Sequence, residues 1–424
     1  MKLRYLFGLF LCLTSWPYLA IDAEKVIPHL PTDITPELSN RGEHQVGVKT
    51  LSAVNLQHSN PLDPTETERT LVFEIWYPAA ANTAPNTSYE NEARSGATFN
   101  LLANAARDVA IKNDQDKYPV VVISHGYTGY RTIMFHIAEH LASHGYVVVG
   151  VDHTDSTNAD VDFTVNPGSG FLSTLMNRAT DQQFALEWLA TSEFAEHVDT
   201  SKSGLIGYSM GGFGAINTIG GCYAFTPQHV AAISGSDDEQ QNALLTQVVN
   251  HCAAKRAEGA DASWQAAVLI APWGGQLKVY SADSIAAVKV PTLYIAGDLD
   301  DISGYSGIRW MYEQHQGAEA WLLTYQNARH NIAPHPAPHA ASTNELDIGH
   351  YYEPSWNMAT IAVNNQHFIL AMMDCQIKQS ADACEYLAVE GSSNQEMING
   401  QLSAPWKGFD NRYSTGMIME KKGE

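Results

Sequence analysis

The chain has 424 residues, 45% of them apolar and 17% charged, which is enough to bury a large core. Against 24 Lys and Arg stand 46 Asp and Glu, a net charge of −22 that repels phosphate backbones and anionic bilayers. A nucleic-acid partner is therefore excluded from the working hypotheses, and no internal repeat points to a solenoid.

In chain order, Lys2 and Arg4 precede the apolar run Tyr5 to Leu13, and small residues follow at Ala20 and Ala23. Charged, then apolar, then small is the order of a secretory signal over residues 1–23, and so predicts a secreted or periplasmic protein. The run is too short to span a bilayer, where about 18 apolar residues are needed, so no stable membrane anchor is expected. Loss of that segment removes Cys12 and leaves Cys222, Cys252, Cys375 and Cys384, an even set pointing to two disulfides in an exported protein. Three pairings are possible. Cys222–Cys252 and Cys375–Cys384 are expected, because each staples a local loop.

Residues 24–44 are rich in Pro and polar side chains and read as a linker. Two strand-like stretches follow, Gly47 to Val54 and Thr70 to Tyr77. Short apolar runs then alternate with helical patterns. The runs are Val120 to Ser124, Tyr146 to Val151, Gly204 to Tyr208, Ala267 to Ala271 and Pro291 to Ala296, with Ala320 to Thr324 as a candidate edge. The helical patterns include Thr132 to Ser143 and Thr180 to His197. The alternation predicts an α/β domain over residues 45–378, a mostly parallel sheet with helices on both faces. Residues 222–264 break the repeat and read as a helical, cap-like excursion near the mouth of the site; residues 379–424 read as a polar C-terminal extension.

Gly207-Tyr208-Ser209-Met210-Gly211 follows an apolar strand and precedes a helix-like stretch. A sharp strand-to-helix turn pushes a serine hydroxyl out above the sheet, and the glycines clear the crowded turn. Ser209 is the candidate nucleophile. A serine needs a base, and on such a sheet the chain order is Ser, then Asp or Glu, then His. His330, after the last strand, is the candidate base. Asp300, in Gly297-Asp298-Leu299-Asp300-Asp301, is the candidate acid, with Asp298 and Asp301 as alternatives. The oxyanion of acyl transfer needs two preorganised N–H donors. Met210 offers one, and Tyr127, in Ser124-His125-Gly126-Tyr127-Thr128-Gly129, offers the other. His125 reads as a packed, hydrogen-bonded side chain. No metal or other cofactor is expected. His335 and His339 read as solvated loop histidines, and the acidic stretch Asp152 to Asp162 as solvated carboxylates.

Ser124-His125-Gly126, Leu141 to Val147 and Val151-Asp152-His153 resemble the platelet-activating-factor acetylhydrolase and dienelactone-hydrolase-like families. Gly126-Tyr127-Thr128, Gly207 to Gly212, Ala271-Pro272-Trp273 and Val290 to Leu293 resemble bacterial cutinase-type polyester hydrolases. The resemblance implies the α/β-hydrolase fold and a serine esterase working through Ser209, Asp300 and His330. It also implies that Tyr127 and Trp273 flank the acyl part of the substrate. The nucleophile is Ser rather than Cys, which argues against dienelactone chemistry. Three functions follow as expectations: a hydrolase of small, short-acyl esters, a polyester hydrolase, or a silent binding module on the same scaffold. The oligomeric state is not legible.

Overall fold

The computed structural model describes residues 22–27, 30–80, 83–113, 117–252, 264–398, 400–410 and 415–423. The signal segment proposed for residues 1–23 lies almost wholly outside the described residues, as do residues 253–263 of the excursion.

The strands are β1 (Gln45–Asn55), β2 (Arg69–Ala79), β3 (Ser88–Glu92), β4 (Thr98–Leu102), β5 (Ala105–Arg107), β6 (Tyr118–Ser124), β7 (Val147–Asp152), β8 (Val198–Tyr208), β9 (Trp264–Ile270), β10 (Thr292–Gly297) and β11 (Ala320–Tyr325). Along the main sheet the order is β5-β1-β2-β7-β6-β8-β9-β10-β11, continued by Met417–Lys422 and Gly391–Ser392. From β7 to β11 every neighbouring pair is parallel, while β2 is antiparallel to both β1 and β7. This is the α/β-hydrolase fold.

The central strands are apolar on both faces because both faces are covered. On one, Val121, Ile123, Ile206 and Val268 share a core with residues of α1 (Phe135–Ser143) and of the helix Met358–Gln376. On the other, Val120, Val122, Leu205 and Leu269 pack with residues of α2 (Phe171–Leu189) and α3 (Met210–Thr218). Helix α2 begins nine residues before the amphipathic stretch read from the sequence and ends well short of His197. Its inward face mixes Leu175, Ala179, Leu186 and Leu189 with buried Arg178, Asp181 and Gln182, so its apolar period is broken by polar side chains that find partners inside.

The segment read as a linker packs against the domain. Glu24 N–H donates to Asn100 O at 2.9 Å, and Leu38 N–H donates to His367 Nδ1 at 3.1 Å. The C-terminal extension closes one side of the sheet, where Met417–Lys422 runs antiparallel to β11 with Met417 and Met419 buried. The described residues of the excursion form two helices, α4 (Pro227–Ser234) and α5 (Glu239–Val249). A disulfide Cys222–Cys252 clasps the two ends of this described part, and Cys375–Cys384 joins the end of the helix Met358–Gln376 to the short helix Ala381–Cys384. The excursion packs through Tyr223, stacked on Phe213 at 4.3 Å, and Phe225, edge-on to the same ring at 6.1 Å.

Two histidine and carboxylate assignments change. His335 is fully buried rather than solvated, its Nε2 2.6 Å from the phenolic Oη of Tyr130, because the Pro-rich loop folds inward against Phe99 of β4 and Phe135 of α1. Asp152 is part-buried and held by Arg131 rather than solvated, whereas Asp155, though paired with Arg69, and Asp160 and Asp162 are exposed as expected.

Candidate active site

Ser209 caps the N-terminus of α3 at the end of β8 with φ 52° and ψ −114°, a backbone conformation costing about 1–3 kcal/mol. Its N–H donates to Ile270 O at 2.9 Å, which fixes the elbow to the neighbouring strand. The tightness explains Gly211, where a Cβ would lie 2.0 Å from Ser124 O.

His330, on the loop after β11, places Nε2 3.0 Å from Ser209 Oγ. Its Nδ1 lies 2.9 and 3.1 Å from the two carboxylate oxygens of Asp300, on the loop after β10. Asp300 Oδ1 also accepts from Ile302 N at 2.9 Å and Ser303 N at 2.8 Å. Burial pushes the Asp300 carboxyl pKa up, but His330 and these two N–H groups outweigh it and leave it below the ordinary value. An ionised Asp300 fixes the proton on His330 Nδ1, so Nε2 is free to accept from Ser209. The structure thus brings together three residues that are 91 and 30 positions apart in pairs.

The two alternative acids lie elsewhere. Asp301 pairs with Arg329 on the surface at 2.8 Å, and Asp298 Oδ1 accepts from Asn327 N at 2.6 Å.

Met210 follows the serine as the first residue of α3. The Tyr127 loop lies against the same point, since a Cβ at Gly126 would be 3.1 Å from Ser209 Cβ. Trp273 N–H donates to Ser209 O at 3.1 Å. Its ring stands edge-on to Phe171 at 5.6 Å, and Phe171 edge-on to Tyr127 at 5.3 Å. Phe171 was not singled out in the sequence, although it opens α2 directly after a glycine-rich turn. Tyr127 is held in this row by its hydroxyl, which donates to Pro167 O at 2.8 Å. Behind Trp273, Phe213 at 5.5 Å connects the row to the excursion, so the excursion buttresses this wall.

Beneath the site lies a second, fully buried hydrogen-bonded chain that sequence inspection missed. Ser124 Oγ is 2.8 Å from His153 Nε2, and His153 Nδ1 is 3.0 Å from Asp181 Oδ2. Arg69 pairs with Asp181 at 2.8 Å. Burial, then the Arg178 charge, pushes the His153 pKa down to about 3, against the pull of Asp181, so the ring is neutral. Gln182 Nε2 donates to Ser124 Oγ at 2.9 Å and to Gly211 O at 2.8 Å, while Arg178 donates to His125 O at 3.1 Å. One helix therefore ties the nucleophile elbow to the Tyr127 loop. His125 is packed as expected, Nδ1 facing Gly126 O at 2.6 Å and Nε2 accepting from His153 N at 3.2 Å.

A family model described as PET hydrolase-like matches residues 111–228, and one for platelet-activating factor acetylhydrolase, isoform II, matches residues 39–167. The first segment carries Tyr127, Ser209 and Met210; neither reaches Asp300 or His330. The chain is 33% identical to cutinase 2 of Thermobifida cellulosilytica over 24% of this chain and 35% of that one. It is 31% identical to the platelet-activating factor acetylhydrolase of Cavia porcellus over 24% of this chain and 32% of that one. The matched region thus spans about a third of the length of these curated relatives. A ferulic acid esterase from Streptomyces cinnamoneus superposes with a TM-score of 0.56 over 82% of this chain and 94% of that one, at 19% identity, a likeness of fold. The chain resembles the cutinase-type and acetylhydrolase families within the α/β-hydrolases.

Proposed function

We propose that the protein is an exported serine carboxylic-ester hydrolase that works through an acyl-enzyme. The carrying observation is the relay from Ser209 Oγ through His330 to Asp300, with contacts of 3.0 and 2.9 Å. His330 Nε2 takes the serine proton as Oγ attacks the ester carbonyl carbon. The resulting oxyanion is held by the N–H groups of Met210 and Tyr127, each such donor worth about 3–4 kcal/mol in the transition state. Collapse expels the alcohol, which leaves with the proton from His330. Water then enters, is deprotonated by His330 and releases the acid, restoring Ser209. Tyr127, Phe171 and Trp273 form the wall against which the acyl group lies. Two disulfides and the N-terminal signal pattern support export.

Initial rates on p-nitrophenyl esters of increasing acyl length, with Ser209→Ala alongside, test this reading. Turnover in the wild type and none in the folded variant is the expected result; equal turnover in both would sink it. A fluorophosphonate that fails to label Ser209 would instead favour a silent scaffold. A polyester substrate is the second reading, favoured by the PET hydrolase-like match over residues 111–228. Release of soluble monomers from polymer film decides between small and polymeric esters.

A further inference from the structure

The turn joining β3 to β4 brings a cation to the Tyr127 loop. Arg94 Nε donates to Thr128 Oγ1 at 3.4 Å, and its guanidinium lies 4.5 Å over the Phe163 ring. The turn is fixed from several sides. Ser95 N and Oγ donate to the carboxylate of Asp347 at 2.9 and 2.6 Å. Asn158 Nδ2 donates to Glu92 O at 2.8 Å, and its Oδ1 accepts from Thr128 Oγ1 at 2.7 Å. Thr132 Oγ1 donates to Asn91 Oδ1 at 2.6 Å. Arg94 is therefore held beside the residue that follows the proposed oxyanion donor. Its charge is also felt at Tyr127, at Tyr208, which precedes the nucleophile, and at His350.

Among the described residues no carboxylate reaches Arg94 within 4 Å, and Asp347 attracts it only from farther away. Arg69, Arg107, Arg131, Arg309 and Arg329 each meet a carboxylate within 4 Å. Among the described residues Arg94, Arg41 and Arg178 meet none; Arg178 donates instead to His125 O and Ser156 Oγ, whereas Arg94 has the Thr128 hydroxyl, and each oxygen of the nearby Asp347 accepts from Ser95. The side chain is partly buried, and burial pushes its pKa down. Holding a cation out of water without a counter-charge is costly, and an anion arriving with the substrate relieves that cost. A guanidinium presents a planar fork that matches a carboxylate. In a chain of net charge −22, it also supplies a local attraction for an anionic substrate that the rest of the surface repels.

We propose that Arg94 binds a carboxylate on the substrate, so that the preferred esters are monoesters of dicarboxylic acids. This rests on the ester-hydrolase reading and makes Arg94 its specificity-determining residue. The test compares kcat/KM for p-nitrophenyl hydrogen adipate and p-nitrophenyl methyl adipate, which differ by one charge. Wild type, Arg94→Gln and Arg94→Lys are measured, and adipate is titrated by calorimetry into Ser209→Ala with and without Arg94→Gln. The wild type should prefer the anionic ester. Arg94→Gln should lower the anionic-to-neutral ratio roughly 10- to 100-fold, with adipate affinity falling in step and Lys restoring part of the ratio. Turnover of both esters without charge preference in the wild type overturns the Arg94 proposal and leaves the hydrolase reading standing. Adipate bound through Arg94 with neither ester turned over overturns the hydrolase reading instead. The wild-type comparison and the Ser209→Ala titration decide the matter even if Arg94→Gln fails to fold.

Discussion

Exchanging Asp300 for Asn probes the relay with almost no change of shape. Asp300 is 6% exposed, and its Oδ1 accepts from Ile302 N and Ser303 N at 2.9 and 2.8 Å. An Asn oxygen keeps both of those bonds, which turns the amide NH2 toward His330. His330 Nδ1 must then accept rather than donate, and the ring proton moves to Nε2. There it faces Ser209 Oγ, 3.0 Å away, with no lone pair left to take the hydroxyl proton. In a Ser-His-Asp triad such a tautomer error costs on the order of 10⁴ in kcat, about 5 kcal/mol. The assay is kcat/KM on p-nitrophenyl acetate near pH 8, with thermal melts to show that the variant folds. Asp301→Asn and Asp298→Asn serve as comparisons, because the first loses only an exposed ion pair and the second a loop contact. Both should stay within about tenfold of wild type, since exposed pairs are worth about 0–1 kcal/mol. Retention of a tenth or more of wild-type activity by Asp300→Asn, or an equal loss in Asp301→Asn, would refute the assignment.

Two further predictions concern stability. Burial holds the pKa values of His136, His153 and His367 at about 3 and of His335 at about 4, whereas an unfolded histidine titrates near 6.5. Below that value the unfolded chain binds more protons, so stability is present near pH 7 and drains away as pH falls, at up to about 1.4 kcal/mol per unit per histidine. Melting temperature should drop by several degrees per unit between pH 6.5 and 4.5, and a flat profile would contradict the buried, neutral rings. Removing the Cys222–Cys252 disulfide by double Ala substitution, which opens a separation of 30 residues, should cost about 3–4 kcal/mol in urea unfolding. Removing Cys375–Cys384, with a separation of 9, should cost about 2–3 kcal/mol, and the reverse order would contradict the loop-entropy account.

Sequence alone determined the elements whose signals are local. Apolar runs buried on both faces gave the parallel strands, and Gly207 to Gly211 gave the elbow, because a strand-to-helix turn that tight requires those glycines next to Ser209. The order of Ser209, Asp300 and His330 along the chain suggested a relay, and the loop ends after β10 and β11 brought the three within hydrogen-bonding distance. Which of the three acidic residues near position 300 faces the histidine was decided only by tertiary structure, since one residue of shift along that loop turns a side chain from the site to the surface. The same holds for α2. Arg178, Asp181 and Gln182 point inward on that helix, because His125 and Ser156 arrive to satisfy the first, Arg69 and His153 the second, and Ser124 and Gly211 the third. Arg94 carries no local motif at all. Its proposed role depends on Thr128 and Phe163 beside it and on the absence, among the described residues, of a carboxylate within 4 Å, and only the folded chain sets those terms.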